Sequence, residues 1–129
     1  MNDEKTWTVL VVEDEPDGQV VLSELLEFSN ITTQTVGTGE AALRKLEENT
    51  FHGAVIDLAL PGMDGFTLLQ NIRQHSNPAV ANLPCVAVTA YHTSVIKRQA
   101  LDSGFNGYVP KPIDRRLLIQ ELRRVIEPG

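Results

Sequence analysis

The sequence predicts a doubly wound α/β fold: a five-stranded parallel sheet, ordered 2-1-3-4-5, with five helices on its two faces. Three observations predict it. Short apolar runs alternate with longer stretches of helical period along the chain. The run Trp7-Thr8-Val9-Leu10-Val11-Val12 is almost continuously apolar, as a strand covered on both faces is. Finally, polar groups with a shared chemistry stand at the carboxyl ends of four candidate strands: Glu13-Asp14, Asp57, Thr89 and Lys111. That chemistry needs the ends of strands one, three, four and five to converge. Order 2-1-3-4-5 achieves this, with its switch point between strands one and three.

After the first strand, residues 18–28 repeat apolar side chains at Val21, Leu22, Leu25, Leu26 and Phe28, a helical spacing. Residues 32–36 form a short β-branched strand, and Thr38 can cap a helix with Ala42, Leu43 and Leu46 on its apolar stripe. The third strand, 52–57, ends at Asp57, and a Pro61-Gly62 turn leads to a helix marked by Phe66, Leu69 and Ile72. Residues 76–83 read as a loop, with Pro84 at the start of a fourth strand over 85–88. A fourth helix covers 93–101, with Ile96 and Ala100 on one side and Gly104 as its C-cap. The fifth strand, 105–109, is weakened by Gly107. The last helix, 113–126, turns Leu117, Leu118, Leu122 and Val125 inward before Pro128-Gly129.

The length of 129 residues fits one domain, residues 1–129 with its core over about 7–126. Apolar residues make up 42% of it, too many for a disordered chain. No stretch reaches the roughly 20 apolar residues of a spanning helix, and the polar start, Met1 to Thr6, is no signal peptide. The net charge of −6 disfavours direct nucleic-acid binding. Arg115, Arg116, Arg123 and Arg124 read as the solvated face of a helix rather than a basic patch. The single cysteine, Cys85, excludes an internal disulfide and reads as a small buried side chain. His52, His75 and His92 lie at none of the strand ends and read as surface residues, His92 near the site but without a role.

Glu13, Asp14 and Asp57 would face one another across the switch point. Three close carboxylates repel and need a cation, and hard oxygen ligands fit Mg²⁺. No histidine or cysteine cluster suggests zinc, and no glycine-rich phosphate loop is present. The acidic pair is also what a solvated turn looks like. Asp57 can be a metal ligand alone, or a nucleophile that attacks phosphorus and forms an acyl phosphate. Lys111 would add positive charge, and Thr89 can donate its hydroxyl to a phosphoryl oxygen or be an ordinary strand end. Pro110 and Pro112 stiffen the backbone around Lys111, and the Lys111-Pro112 bond is a candidate for cis.

The pieces 11–16 (Val-Val-Glu-Asp-Glu-Pro), 57–65 (Asp-Leu-Ala-Leu-Pro-Gly-Met-Asp-Gly), 88–90 (Val-Thr-Ala) and 108–112 (Tyr-Val-Pro-Lys-Pro) stand in fixed order. In these motifs the chain resembles the receiver domains of two-component response regulators, of the stand-alone, CheY-like kind, over essentially all its length. A segment of a longer protein would read the same. The resemblance implies a flavodoxin-like fold and a cytoplasmic signalling role. A sensor histidine kinase or histidine phosphotransfer protein would supply a phosphoryl group to Asp57. Glu13, Asp14, Asp57 and the Ala59 carbonyl would hold Mg²⁺, with Asp14 the more direct of the acidic pair. Thr89 and Lys111 would complete the catalytic set, and Thr89 with Tyr108 would form the switch. A downstream protein would meet the face made by the fourth helix, fifth strand and fifth helix, from about His92 to Glu121. Neither nucleic acid nor membrane would be touched directly.

Ala59 and Tyr91 would lie beside the path of a hydrolytic water. Ala59 offers no polar group to position that water. Tyr91 is large enough to shield the phosphoryl group, or simply faces solvent. The resemblance implies a switch with self-phosphorylation and self-dephosphorylation chemistry, and not an enzyme. The alternatives are a phosphatase with a phosphoaspartyl intermediate and a receiver used only as a binding module. Haloacid-dehalogenase-like phosphatases have a D-x-D pattern, whose second acid is Ala59 here. The intact Glu13, Asp14, Asp57, Thr89 and Lys111 set argues against a mere binding module.

Overall fold

In a computed structural model, residues 6–127 are described; the first five residues and Pro128-Gly129 lie outside the described residues. The apolar runs form five strands: β1 (Thr8–Val12), β2 (Thr32–Val36), β3 (Gly53–Asp57), β4 (Cys85–Thr89) and β5 (Gly107–Pro110). All pair in parallel, in the order β2-β1-β3-β4-β5 that the sequence predicts. The intervening segments form α1 (Pro16–Phe28), α2 (Gly39–Glu48), α3 (Gly65–Arg73), α4 (Pro78–Ala81), α5 (Ser94–Ser103) and α6 (Arg115–Ile126).

Successive strand residues point to opposite faces of the sheet, so each strand feeds two cores. Leu10, Val12, Ala54, Ile56, Ala87 and Tyr108 pack with Leu46 of α2, Leu69 and Ile72 of α3 and Ala100 of α5. Val9, Val11, Val55, Val86, Val88 and Val109 pack on the other face with Leu22 and Leu26 of α1 and Leu118 and Leu122 of α6. With helices on both faces, the sheet is open to solvent chiefly at its edges and strand ends, and the strand ends are where the polar residues stand.

The expected caps hold α2 and α5. Thr38 accepts the Ala41 N–H, and Gly104, at φ +115°, ends α5 in the left-handed region. Several boundaries shift by a residue or two from the sequence reading, and four differences have a clear physical reason. The helix α1 begins at Pro16, two residues earlier, because proline suits the first helical turn. The expected loop at 76–83 contains one helical turn, α4, capped by Asn77 and opened by Pro78. The strand β5 begins at Gly107; Phe105 fills the core edge-on to Phe66 instead of joining the ladder. The helix α6 begins at Arg115, where Asp114 accepts the N–H groups of Arg116 and Leu117.

Cys85 is fully buried, as expected, and burial pushes its thiol up to about 11, partly offset by Arg73. The four arginines of α6 are exposed, with Arg115 lying 4.7 Å from the ring centre of Phe28. Among the described residues, no helix is long and apolar enough to cross a membrane.

Candidate functional site

Each strand delivers one part of the site. The Glu13 N–H donates to the Val36 carbonyl (3.0 Å), which carries the β1–β2 pairing one residue further and fixes the acidic pair. Asp57 is the last residue of β3 and pairs with Val88 of β4. Thr89 ends β4, and its carbonyl accepts the Lys111 N–H at 2.8 Å, which holds Lys111 just beyond β5. The Lys111-Pro112 bond is cis.

The side chains then meet. Lys111 Nζ donates to Glu13 Oε1 at 2.7 Å and to Asp57 Oδ2 at 2.9 Å. Asp57 Oδ1 accepts the Ala59 N–H at 2.9 Å, so both its oxygens are oriented while the side chain remains 7% exposed. Glu13 is wholly buried, and its second oxygen accepts the Glu15 N–H at 3.1 Å. Burial raises the Glu13 pKa above the ordinary carboxylate value, against the opposing pull of Lys111. Burial also works against the Lys111 charge, but the Glu13 and Asp57 carboxylates outweigh it and hold the lysine pKa above its ordinary value.

Glu13, Asp14 and Asp57 each bring a carboxylate oxygen within 4.8 Å of the others. Lys111 bridges two of the three, so the cluster keeps an excess of negative charge. A half-open cluster of hard oxygens fits a divalent cation that keeps part of its water shell, as Mg²⁺ does.

The other expected residues differ in their burial and partners. The Thr89 side chain is buried, and its Oγ1 accepts the Tyr91 N–H at 3.0 Å. Tyr108 is also buried, 5% exposed, and burial raises its phenol pKa. The Tyr91 side chain is 70% exposed and stands in solvent, while Ala59 is exposed beside Asp57. His52 is a surface residue, and His75 is half-buried in a 3.0 Å pair with Glu47. His92, expected to have no role, has its Nδ1 2.9 Å from the Tyr108 hydroxyl. Nothing in the sequence marks that pair, because the contact spans the whole of α5.

The chain matches the family profile described as the response regulator receiver domain over residues 9–123. It is 38% identical to a 14.6 kDa protein encoded in the 3′ region of sodA1 in Leptolyngbya boryana, covering 87% of this chain and 84% of that one. It is 37% identical to the sensor histidine kinase GacS of Pseudomonas protegens over 87% of this chain, which spans only 12% of the length of that kinase. The receiver domain of the sensor histidine kinase PA1611 from Pseudomonas aeruginosa superposes with a TM-score of 0.84 at 30% identity, covering 95% of this chain and 98% of that domain. Its structure has a magnesium ion coordinated in the active site cleft.

These findings correct the expectation that the chain is not an enzyme. The clustered Glu13, Asp14 and Asp57 carboxylates, and the magnesium coordinated in the active site cleft of the similar domain, point to intrinsic phosphotransfer and phosphatase chemistry, which is enzymatic activity.

Proposed function

This chain belongs to the response regulator receiver domain family, and from that premise we propose that Asp57 takes a phosphoryl group from the phosphohistidine of a sensor kinase or phosphotransfer protein. The observation that carries the proposal is the Lys111 ammonium bridging buried Glu13 and Asp57 at the mouth of the sheet. An Asp57 carboxylate oxygen attacks phosphorus. The O–P bond forms as the P–N bond breaks, and the imidazole nitrogen keeps the electron pair. The acceptor's backbone is fixed by its pairing with β4, so little reorganisation is needed.

Asp14 and Asp57, with Glu13 and the Ala59 carbonyl, would hold Mg²⁺, which when bound supplies positive charge to the phosphoryl oxygens. Lys111 adds a second cation, oriented by Glu13. Thr89 turns its hydroxyl toward a phosphoryl oxygen, and Tyr108 occupies its buried position in the phosphorylated state. The result is a shift in population between two packings of the α5–β5–α6 face. A groove of about 440 Å³ on that face, lined in part by Lys97, Leu101, Tyr108 and Glu121, is where a downstream protein docks. The setting is the cytoplasm, and neither nucleic acid nor membrane is a direct partner.

Incubation with a small phosphodonor and Mg²⁺, followed by intact-mass measurement, tests the acceptor. Wild type gains one phosphoryl group and D57A gains none. An adduct in D57A at wild-type yield would refute the assignment. The same assay, followed after donor removal, tests Tyr91 as a shield swinging over the acyl phosphate: Y91A then loses its phosphoryl group faster than wild type. Equal or slower loss would leave Tyr91 as a solvent-facing side chain.

A further inference from the structure

The two switch residues are joined by one short segment. At one end, Thr89 Oγ1 accepts the backbone N–H of Tyr91 at 3.0 Å. At the other, His92 Nδ1 lies 2.9 Å from the Tyr108 hydroxyl, with the two rings tilted at 50° and their centres 5.4 Å apart. The next residue, Thr93, caps α5 by accepting the Ile96 N–H at 3.0 Å, so the His92 backbone is anchored to a helix start. Among the described residues, His92 is the partner that the Tyr108 hydroxyl is given, and no buried side-chain polar atom there lacks one.

We propose that His92 is a positioning residue for Tyr108, and that the Tyr91–His92 segment transmits the state of the Thr89 hydroxyl to the phenol. This rests on the reading of Thr89 and Tyr108 as the switch pair. In the tautomer with its ring proton on Nε2, His92 accepts the phenol O–H at Nδ1. The hydroxyl is only part-buried, beside an exposed imidazole, so this bond adds about one ordinary hydrogen bond in favour of the buried rotamer of Tyr108, the one that reading couples to the phosphorylated state. When Thr89 turns toward a phosphoryl oxygen, the bond to the Tyr91 N–H is exchanged. The segment then moves with His92 at its far end. In this chain the message to the α5–β5–α6 face therefore passes through a side chain, not only through space vacated beside Thr89.

Coupling is reciprocal, so removing the latch weakens whatever drives the switch from the Asp57 end. The full chain, labelled with 3-fluorotyrosine, carries two reporters, Tyr91 and Tyr108. It is titrated with beryllofluoride at fixed Mg²⁺ and followed by fluorine NMR, with Y91F assigning the two resonances. H92F and Y108F are each expected to lower beryllofluoride affinity about fivefold, the worth of one ordinary hydrogen bond. The double variant is expected to be no weaker than either single one. H92N, which places an acceptor oxygen near the position of Nδ1, is expected to restore most of the affinity and the wild-type Tyr108 resonance.

If Y108A weakens binding while H92F does not, the role given to His92 is overturned and the switch reading stands. The same follows if the H92F and Y108F losses simply add. If Y108A leaves affinity unchanged, the switch reading of Tyr108 falls and the proposal falls with it.

Discussion

A Cβ at Gly65 would lie 2.6 Å from the Asp57 carbonyl oxygen and 2.7 Å from Leu58 Cα. Those are backbone atoms of the segment that carries the acceptor, so they cannot swing aside. The Gly65 N–H also donates to the Leu58 carbonyl at 3.0 Å, which draws the start of α3 against the end of β3. G65A is therefore expected to cost about 1–3 kcal/mol of stability and to slow phosphorylation of Asp57, measured by denaturant unfolding and by intact mass. At this scale the sequence tells which residue types carry the chemistry, because carboxylates, a hydroxyl and a lysine at strand ends have few other uses together. It does not tell how they are paired. Glu13 reads as part of a metal-binding acidic pair or of a solvated turn, and it is wholly buried against Lys111, 98 positions away. Only the closing of the sheet creates that contact, and the same holds for the His92–Tyr108 pair.

Between elements, one guanidinium does much of the joining. Arg73, at the end of α3, donates to the carbonyls of Ala81, Leu83 and Gly104 and to Asn106 Oδ1, with distances of 2.8–3.2 Å. It thus ties the end of α4, the entry to β4 and the turn between α5 and β5 to a single planar group. Lysine has a charge but no fork, so R73K is expected to lose about 2–4 kcal/mol in denaturant unfolding. The strand β5 was the element least legible in sequence, since Phe105 looks like its first residue but belongs to the core. Its N–H at Tyr108 reaches Glu121 Oε1 of α6 at 3.4 Å, and Glu121 in turn pairs with Arg124 at 2.8 Å. The Arg124 hydrogen bond, opposed by burial, holds the Glu121 pKa below its ordinary 4.5. A carboxylate with a depressed folded pKa adds stability above its unfolded value and loses it as pH falls through the folded one. The stability gap between wild type and R124A is therefore expected to be widest at pH 7 and to narrow below about pH 4.5 in urea unfolding across pH, down to the part that the Arg124 bond to the Asn106 carbonyl supplies. A gap that stays constant down to pH 3 would remove Glu121 as its source.

Over the whole molecule, strand order was legible because function constrains it. Four chemically related strand ends can meet only if strands one, three, four and five are neighbours, and the observed order satisfies this. The doubled core was legible for a simpler reason: strands apolar at successive positions must be covered on both sides. What the patterns leave out is how the two cores move relative to each other when Asp57 changes charge. A phosphoryl group on Asp57 is expected to repack the α5–β5–α6 face. Amide hydrogen exchange, read in wild type and D57A with Mg²⁺ alone and with Mg²⁺ plus beryllofluoride, tests it most directly. Beryllofluoride is expected to change protection in wild type mainly over residues 89–121, and D57A to show no such change. Unchanged protection over those residues in wild type, or the same change in D57A, would contradict it.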